Sequence, residues 1–150
     1  MGLKETLQSD LTEAIRSRDE MSSGTIRMVL SAITNEEVSG KSARVLTDAE
    51  IITVLSREAK KRREAAEAFA EAGRADRATA EIEEGKVIAR YLPEQLSEAD
   101  LKRMIADAIA ETGATGPSGM GQVMKLIQPK IAGKADGGLV STLVKAALNG

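Results

Sequence analysis

The chain has 150 residues, of which 42% are apolar and 29% charged, and a net charge of −2. It has no cysteine and no histidine, which excludes disulfides, thiolate nucleophiles, the usual zinc sites and imidazole-based catalysis. Phe69 and Tyr91 are its only aromatic residues, so the core must be aliphatic, and the stacking platforms of single-strand RNA readers are missing.

Charges interrupt the first residues, MGLKETLQSDL, where a signal peptide needs its apolar stretch, and no apolar run approaches the length of a membrane span. A cytoplasmic protein with no membrane partner is expected.

Apolar residues recur at helical spacing along the chain. Leu3, Leu7, Leu11, Ala14 and Ile15 predict a first helix that fades near Arg18. Ile26, Val29, Leu30, Ile33 and Glu37 or Val38 predict a second, entered through Ser22 and Ser23. The polar stretch from Ser39 to Leu46, with Gly40 inside it, reads as a loop. Thr47 and Glu50 form a capping box that opens the longest helix. Its inward face is expected to carry Ile51, Ile52, Leu55, Ala59, Ala66, Phe69 and Ala70, and its end lies near Gly73.

A fourth helix is expected from about Asp76 to Tyr91, with Ile82, Val87, Ile88, Tyr91 and Leu92 towards its end and Gly85 as a weak point. Pro93 stops it, because the residue before proline is pushed out of helical geometry. The segment LPEQLS reads as a hinge between domains 1–93 and 94–150. Ser97 and Asp100 cap a fifth helix carrying Leu101, Met104, Ile105, Ala108 and Ile109, which ends at Gly113, Gly116 and Pro117.

A sixth pattern, Met120, Val123, Met124 and Ile127, is short and meets Pro129. The seventh, Leu139, Val140, Leu143, Val144, Ala147 and Leu148, starts behind Asp136. No segment alternates with period two. The expected fold is all-α: about four helices, then a C-terminal domain of about three.

Residues 1–93 hold 15 Lys or Arg and 17 Asp or Glu, and residues 94–150 hold 6 of each, so any electrostatic function must come from how charge is distributed. From Lys125 to the end, four lysines (Lys125, Lys130, Lys134 and Lys145) stand against one acid, Asp136. A helix starting at Gly137 would offer free amides and a positive dipole end to an anion. Asp136 is placed to cap those amides itself, so Lys130 and Lys134 are the stronger phosphate candidates. Gly133, Asp136 and Gly137 shape the loop.

The run Arg57 to Arg63 is a second basic patch. At helical spacing Arg57, Lys60 and Lys61 lie together on the solvent side, and Arg62 falls nearer the core, where it needs an acidic partner. The pairs Lys60–Glu64, Arg63–Glu67 and Glu58–Arg62 are each four residues apart, the pattern of a solvated, salt-bridged helix, with a phosphate-tracking helix through Arg57, Lys60 and Lys61 as the alternative.

Other chemistry is absent. Gly133–Lys134 fails as a phosphate loop: Ala135 stands where Ser or Thr is needed, and no strand precedes it. Glu81, Glu83 and Glu84 read as an exposed helix face and not as a metal site. Ser22, Ser23, Ser118 and Ser141 lack an activating motif, and Met120 and Met124 read as core filling. No catalytic residue, metal or cofactor is expected.

The chain resembles the GatB/YqeY family, in particular its small stand-alone YqeY-like members. The resemblance spans nearly the whole length. It is carried by TIRMVLSAITNEEV (25–38), VLSREAKKRREA (54–65), YLPEQLSEADL (91–101) and above all MGQVMKLIQPKIAGKADGGLVSTLVKAAL (120–148). It implies an all-α protein whose C-terminal part is similar to the tail of the B subunit of the tRNA-dependent amidotransferase, a part that engages tRNA.

Glutamine-dependent carbon–nitrogen ligase activity is associated with that enzyme, but the cradle that performs it has no counterpart in this chain. The resemblance therefore implies a non-catalytic accessory of translation that binds tRNA through Lys125, Lys130, Lys134 and Lys145. An alternative is a protein-interaction module, docking on an amidotransferase or an aminoacyl-tRNA synthetase through apolar residues of the last two helices. Amidotransferase activity in the chain itself is the third reading.

Overall fold

Several helix starts in this chain are set by short polar side chains that take up free amides of the first turn. Thr47 and Ser97 each accept a hydrogen bond from the amide three residues on, and Glu50 and Asp100 reach back to complete two capping boxes. A computed structural model describes residues 2–149. Among them are seven α-helices, one short 3-10 turn and no strand, so the chain is all-α.

Two compact units follow one another, Met1–Leu92 and Pro93–Gly150. The first holds α1 (Leu3–Arg16), α2 (Glu20–Glu37), α3 (Asp48–Glu71) and α4 (Ala75–Ala89). The second holds α5 (Glu98–Thr112), the 3-10 turn Pro117–Gly119, α6 (Met120–Ile131) and α7 (Gly137–Asn149).

In the first unit α4 lies along α3 and also touches α2, while α1 packs on α2 and α3. Leu7, Ile26, Ile33, Ile51, Leu55 and Ile88 fill its core, joined by Leu46 from the loop before α3. That loop is tied down by Glu37, which is buried at the end of α2. Its carboxylate accepts the Lys4 ammonium at 2.8 Å and the Leu46 amide at 3.1 Å, so a polar loop delivers one apolar plug.

Four expectations need correction. α2 starts at Glu20, not after Ser22 and Ser23: Asp19 is the N-cap, accepting the Ser22 amide at 3.1 Å, and Ser22 itself is buried. The tight turn before it holds Arg18 at φ +60, the one non-glycine residue with positive φ among those described. The inward face of α3 is rotated towards Val54 and Glu58, which are buried, and Ala70 is exposed. α4 ends at Ala89, so Tyr91 and Leu92 lie in the following turn, and Ile82 is half exposed. α6 does not stop before Pro129 but continues to Ile131. Proline there removes one amide in the last turn on an exposed side of the helix, and burial of Ile131 holds that turn in place.

The second unit is a three-helix layer around Leu101, Ile105, Val123, Ile127, Val140 and Val144, each helix touching the other two. Gly113, at φ +67, closes α5 in the left-handed conformation that favours glycine. Gly119 is needed for another reason: a Cβ there would sit 2.6 Å from the Cβ of Ala114.

Candidate nucleic-acid interface

Pairing among charged side chains separates the candidate residues into two groups. On α3 the basic patch is mostly engaged. Arg57 donates to Glu36 at 3.2 Å, Lys61 pairs with Glu58 at 3.2 Å, and Lys60 also has an interaction of its own. Arg62, largely buried, finds three carboxylates: Glu58 at 3.2 Å, Glu84 at 3.4 Å and Glu81 at 3.7 Å.

Glu81 and Glu84 therefore do not form an exposed acidic face; three residues apart, they turn inwards together, and only Glu83 points out, pairing with Lys86 at 2.9 Å. Burial, with the neighbouring Glu81 charge, pushes the Glu84 carboxyl above its ordinary value. Of the spaced pairs on α3, Glu58–Arg62 closes, while no ion pair joins Arg63 to Glu67 among the described residues.

The C-terminal candidates are arranged differently. Lys125, Lys130, Lys134 and Lys145 are all exposed, and none has an ion-pair partner among the described residues. Lys130 lies in the last turn of α6, and residues 132–136 turn the chain into α7. Gly133, at φ +73, permits the turn, and the Lys134 amide donates back to the Ile131 carbonyl at 2.8 Å. Asp136 Oδ1 accepts the Gly138 amide at 3.1 Å, and its backbone carbonyl accepts the Val140 amide. Asp136 thus takes up one amide at the start of α7 and sets a carboxylate where an anion would approach.

Lys130, Gly133, Lys134, Asp136 and Gly137 are brought into one turn. Lys125 and Lys145 are not. At 100° per residue, Lys125 and Lys130 fall about 140° apart around α6, with Lys125 opposite the buried Val123, Ile127 and Ile131. Lys145 lies about 12 Å along α7 from Gly137. The four ammonium groups are spread around the unit and do not form one patch.

Two features went unread in the sequence. A polar notch of about 420 Å³ in the first unit is lined by Asp10, Asp19, Ser22, Arg90 and Tyr91 among others. Its polar groups satisfy one another: the Tyr91 hydroxyl donates to Asp10 at 2.6 Å and Arg90 to the Ser22 hydroxyl at 3.2 Å. Burial first, and then that bond to Asp10, push the Tyr91 hydroxyl pKa up. Tyr91, one of two aromatics in the chain, was the available signal. The second feature is an apolar groove of about 500 Å³ between α5 and α7, lined by Ile105, Ala106, Ile109, Leu143, Ala146 and Ala147 with Lys102 at its edge. The apolar residues of α6 are packed into the core of the unit, so the uncovered face belongs to α5 and α7 and not to the last two helices.

A family model of the Yqey-like proteins matches residues 4–148, which takes in both units. The chain belongs to the YqeY-like family. An uncharacterized protein of Schizosaccharomyces pombe is 32% identical over 96 residues, covering 63% of this chain and 76% of the yeast protein. Altered inheritance of mitochondria protein 41, a mitochondrial protein of Clavispora lusitaniae, is 30% identical over 134 residues, covering 87% of this chain and 76% of its own length. No helix among the described residues of this YqeY-like chain is long and apolar enough to cross a membrane.

Proposed function

We propose that this YqeY-like protein is a non-catalytic accessory of translation whose C-terminal unit holds the phosphate backbone of tRNA. One observation carries the proposal: every lysine beyond α5 is exposed and without an ion-pair partner among the described residues, while both cations of α5 are paired, Lys102 with Glu98 and Arg103 with Asp100. Unpaired exposed ammonium groups keep their charge for an external anion. The choice of tRNA among polyanions follows the resemblance read from residues 120–148 to the tail of the amidotransferase B subunit.

Because the four lysines are spread around the unit, contact is with a folded backbone that curves past them, and affinity is modest. Charge neutralisation releases counterions, so binding weakens with salt by a slope of about one per phosphate contacted. Filter binding of total tRNA to the chain and to Lys130→Ala/Lys134→Ala tests this. Weaker binding by the variant is expected; no binding by the parent, or an unchanged variant, would remove tRNA from the account.

A second function has its own support in the apolar groove between α5 and α7, which has the form that receives an amphipathic helix of a protein partner such as an amidotransferase or synthetase. Affinity purification with nuclease treatment separates the two: a partner retained after nuclease favours the groove. The cytoplasm is the proposed compartment, and the mitochondrial label of the Clavispora relative supplies the alternative, which fractionation of tagged protein decides.

A further inference from the structure

Lys134 stands on the wall of a groove of about 600 Å³ whose other charged walls are Glu94, Asp100, Arg103 and Asp107. The walls are tied together. The Leu96 amide donates to the Lys134 carbonyl at 2.9 Å, and the Gln95 side-chain amide donates to the Gly133 carbonyl at 2.9 Å. Asp100 is already engaged, capping α5 and binding Arg103 at 2.8 Å. Glu94 and Asp107 are exposed and have no ion-pair partner among the described residues.

A space of that volume is roughly 8 Å across, about one Debye length at physiological ionic strength, so charges on its walls are only partly screened from one another. Three acids and two bases line it, a net charge of −1 on its walls. Lys125 and Lys130, on α6, are not among its walls.

We propose that Glu94 and Asp107 tune the specificity of the polyanion surface: they screen Lys134 and weaken it as an anchor, so that a flexible polyanion gains little there, and a backbone is held mainly by Lys125, Lys130 and Lys145, with Lys134 as the lesser contact. Placing like charge where an unwanted ligand would settle discriminates between partners without adding attraction for the right one. This rests on the tRNA function proposed above, and its test is built to fail separately.

The full-length Glu94→Gln/Asp107→Asn double variant is titrated with heparin, a flexible polyanion, and with tRNA at 0.1 M salt, beside the parent chain. Heparin affinity is expected to rise roughly threefold, with a steeper salt dependence, and tRNA affinity to rise less. Adding Lys134→Ala to the double variant should return heparin affinity to the parent value. An unchanged heparin affinity, or a gain that survives Lys134→Ala, overturns the screen even where the parent binds tRNA. Conversely, a gain on heparin with no tRNA binding by the parent leaves the screen standing and removes the tRNA function.

Discussion

In the N-terminal unit the charges are turned inwards on one another: Arg62 gathers Glu58, Glu81 and Glu84, Lys4 holds Glu37, Arg44 holds Glu50 at 2.6 Å and Arg57 reaches Glu36. In the C-terminal unit pairing stops at α5, and Lys125, Lys130, Lys134 and Lys145 face solvent with no ion-pair partner among the described residues. Similar residue types thus serve two ends. Where acids stand on a neighbouring helix, a cation fixes helix against helix. Where no acid comes within ion-pair distance, it is left for a ligand.

The contrast is broken most severely at Arg62. Replacing it with Ala leaves three partly buried carboxylates without their shared counter-charge, and a loss of about 3 kcal/mol is expected in chemical denaturation. Lys130→Ala should stay within about 0.5 kcal/mol of the parent, as substitutions away from such networks do. A loss from Lys130→Ala comparable to that from Arg62→Ala would make Lys130 structural and end the comparison.

Packing in the second unit gives the next effect. Gly119→Ala pushes a methyl group against Ala114, and destabilisation of about 1–3 kcal/mol is expected, read from hydrogen exchange of α5 and α6. Protection equal to the parent would show that the Ala114 turn yields freely.

Acid sharpens the difference between the units. The bond from Arg44, followed by the Thr47 amide, holds Glu50 down to about 2 from an ordinary 4.5. Lys4 and the Leu46 amide lower Glu37, Ser22 lowers Asp19, and Arg74 lowers Asp76, whereas in the second unit the resolved shift is that of Asp100, lowered by Ser97. A lowered carboxyl contributes stability above its unfolded pKa and loses it as pH falls through the folded one. Glu84 has the opposite sign and regains stability as it protonates. Between pH 5 and about pH 2 the first unit should therefore lose more stability than the second, followed by residue-resolved hydrogen exchange. A steeper loss in α5 to α7 would contradict the charge contrast.

The smallest effect is a gain. Gly85 lies in the interior of α4, and a Cβ there would meet its nearest neighbour, the Arg62 Cβ, at 3.9 Å. Gly85→Ala should stabilise by about 0.5–1 kcal/mol, seen as a raised Tm; a lowered Tm would mean that α4 must approach Arg62 more closely than this structure has it.

Much of the fold was legible because it is written locally. Thr47 with Glu50 and Ser97 with Asp100 are complete signals within four residues, and so is Gly113. The start of α2 was misplaced because Asp19 and Ser22 are both good caps, and only the turn at Arg18 selects between them. Pro129 misled because its cost depends on which side of α6 faces solvent. The buried Glu37 and the inward turn of Glu81 and Glu84 depend on partners 33 and about 20 residues away, beyond any local pattern.

Of the candidate interface, the identities and exposure of the lysines were readable, and so was the Asp136 cap. Their directions were not, since these follow from the phase of α6 carried through Pro129. The acids beside Lys134 come from Glu94 and from α5, far back in the chain, and no spacing rule places them there.

The central claim is that the second unit, not the basic patch on α3, meets tRNA. Two-dimensional amide NMR of the full chain during a tRNA titration tests it directly. The account predicts shifts and broadening at Lys125 to Lys145, fading as salt rises, with Arg57 to Arg63 unmoved; perturbation centred on α3, or none anywhere, would contradict it.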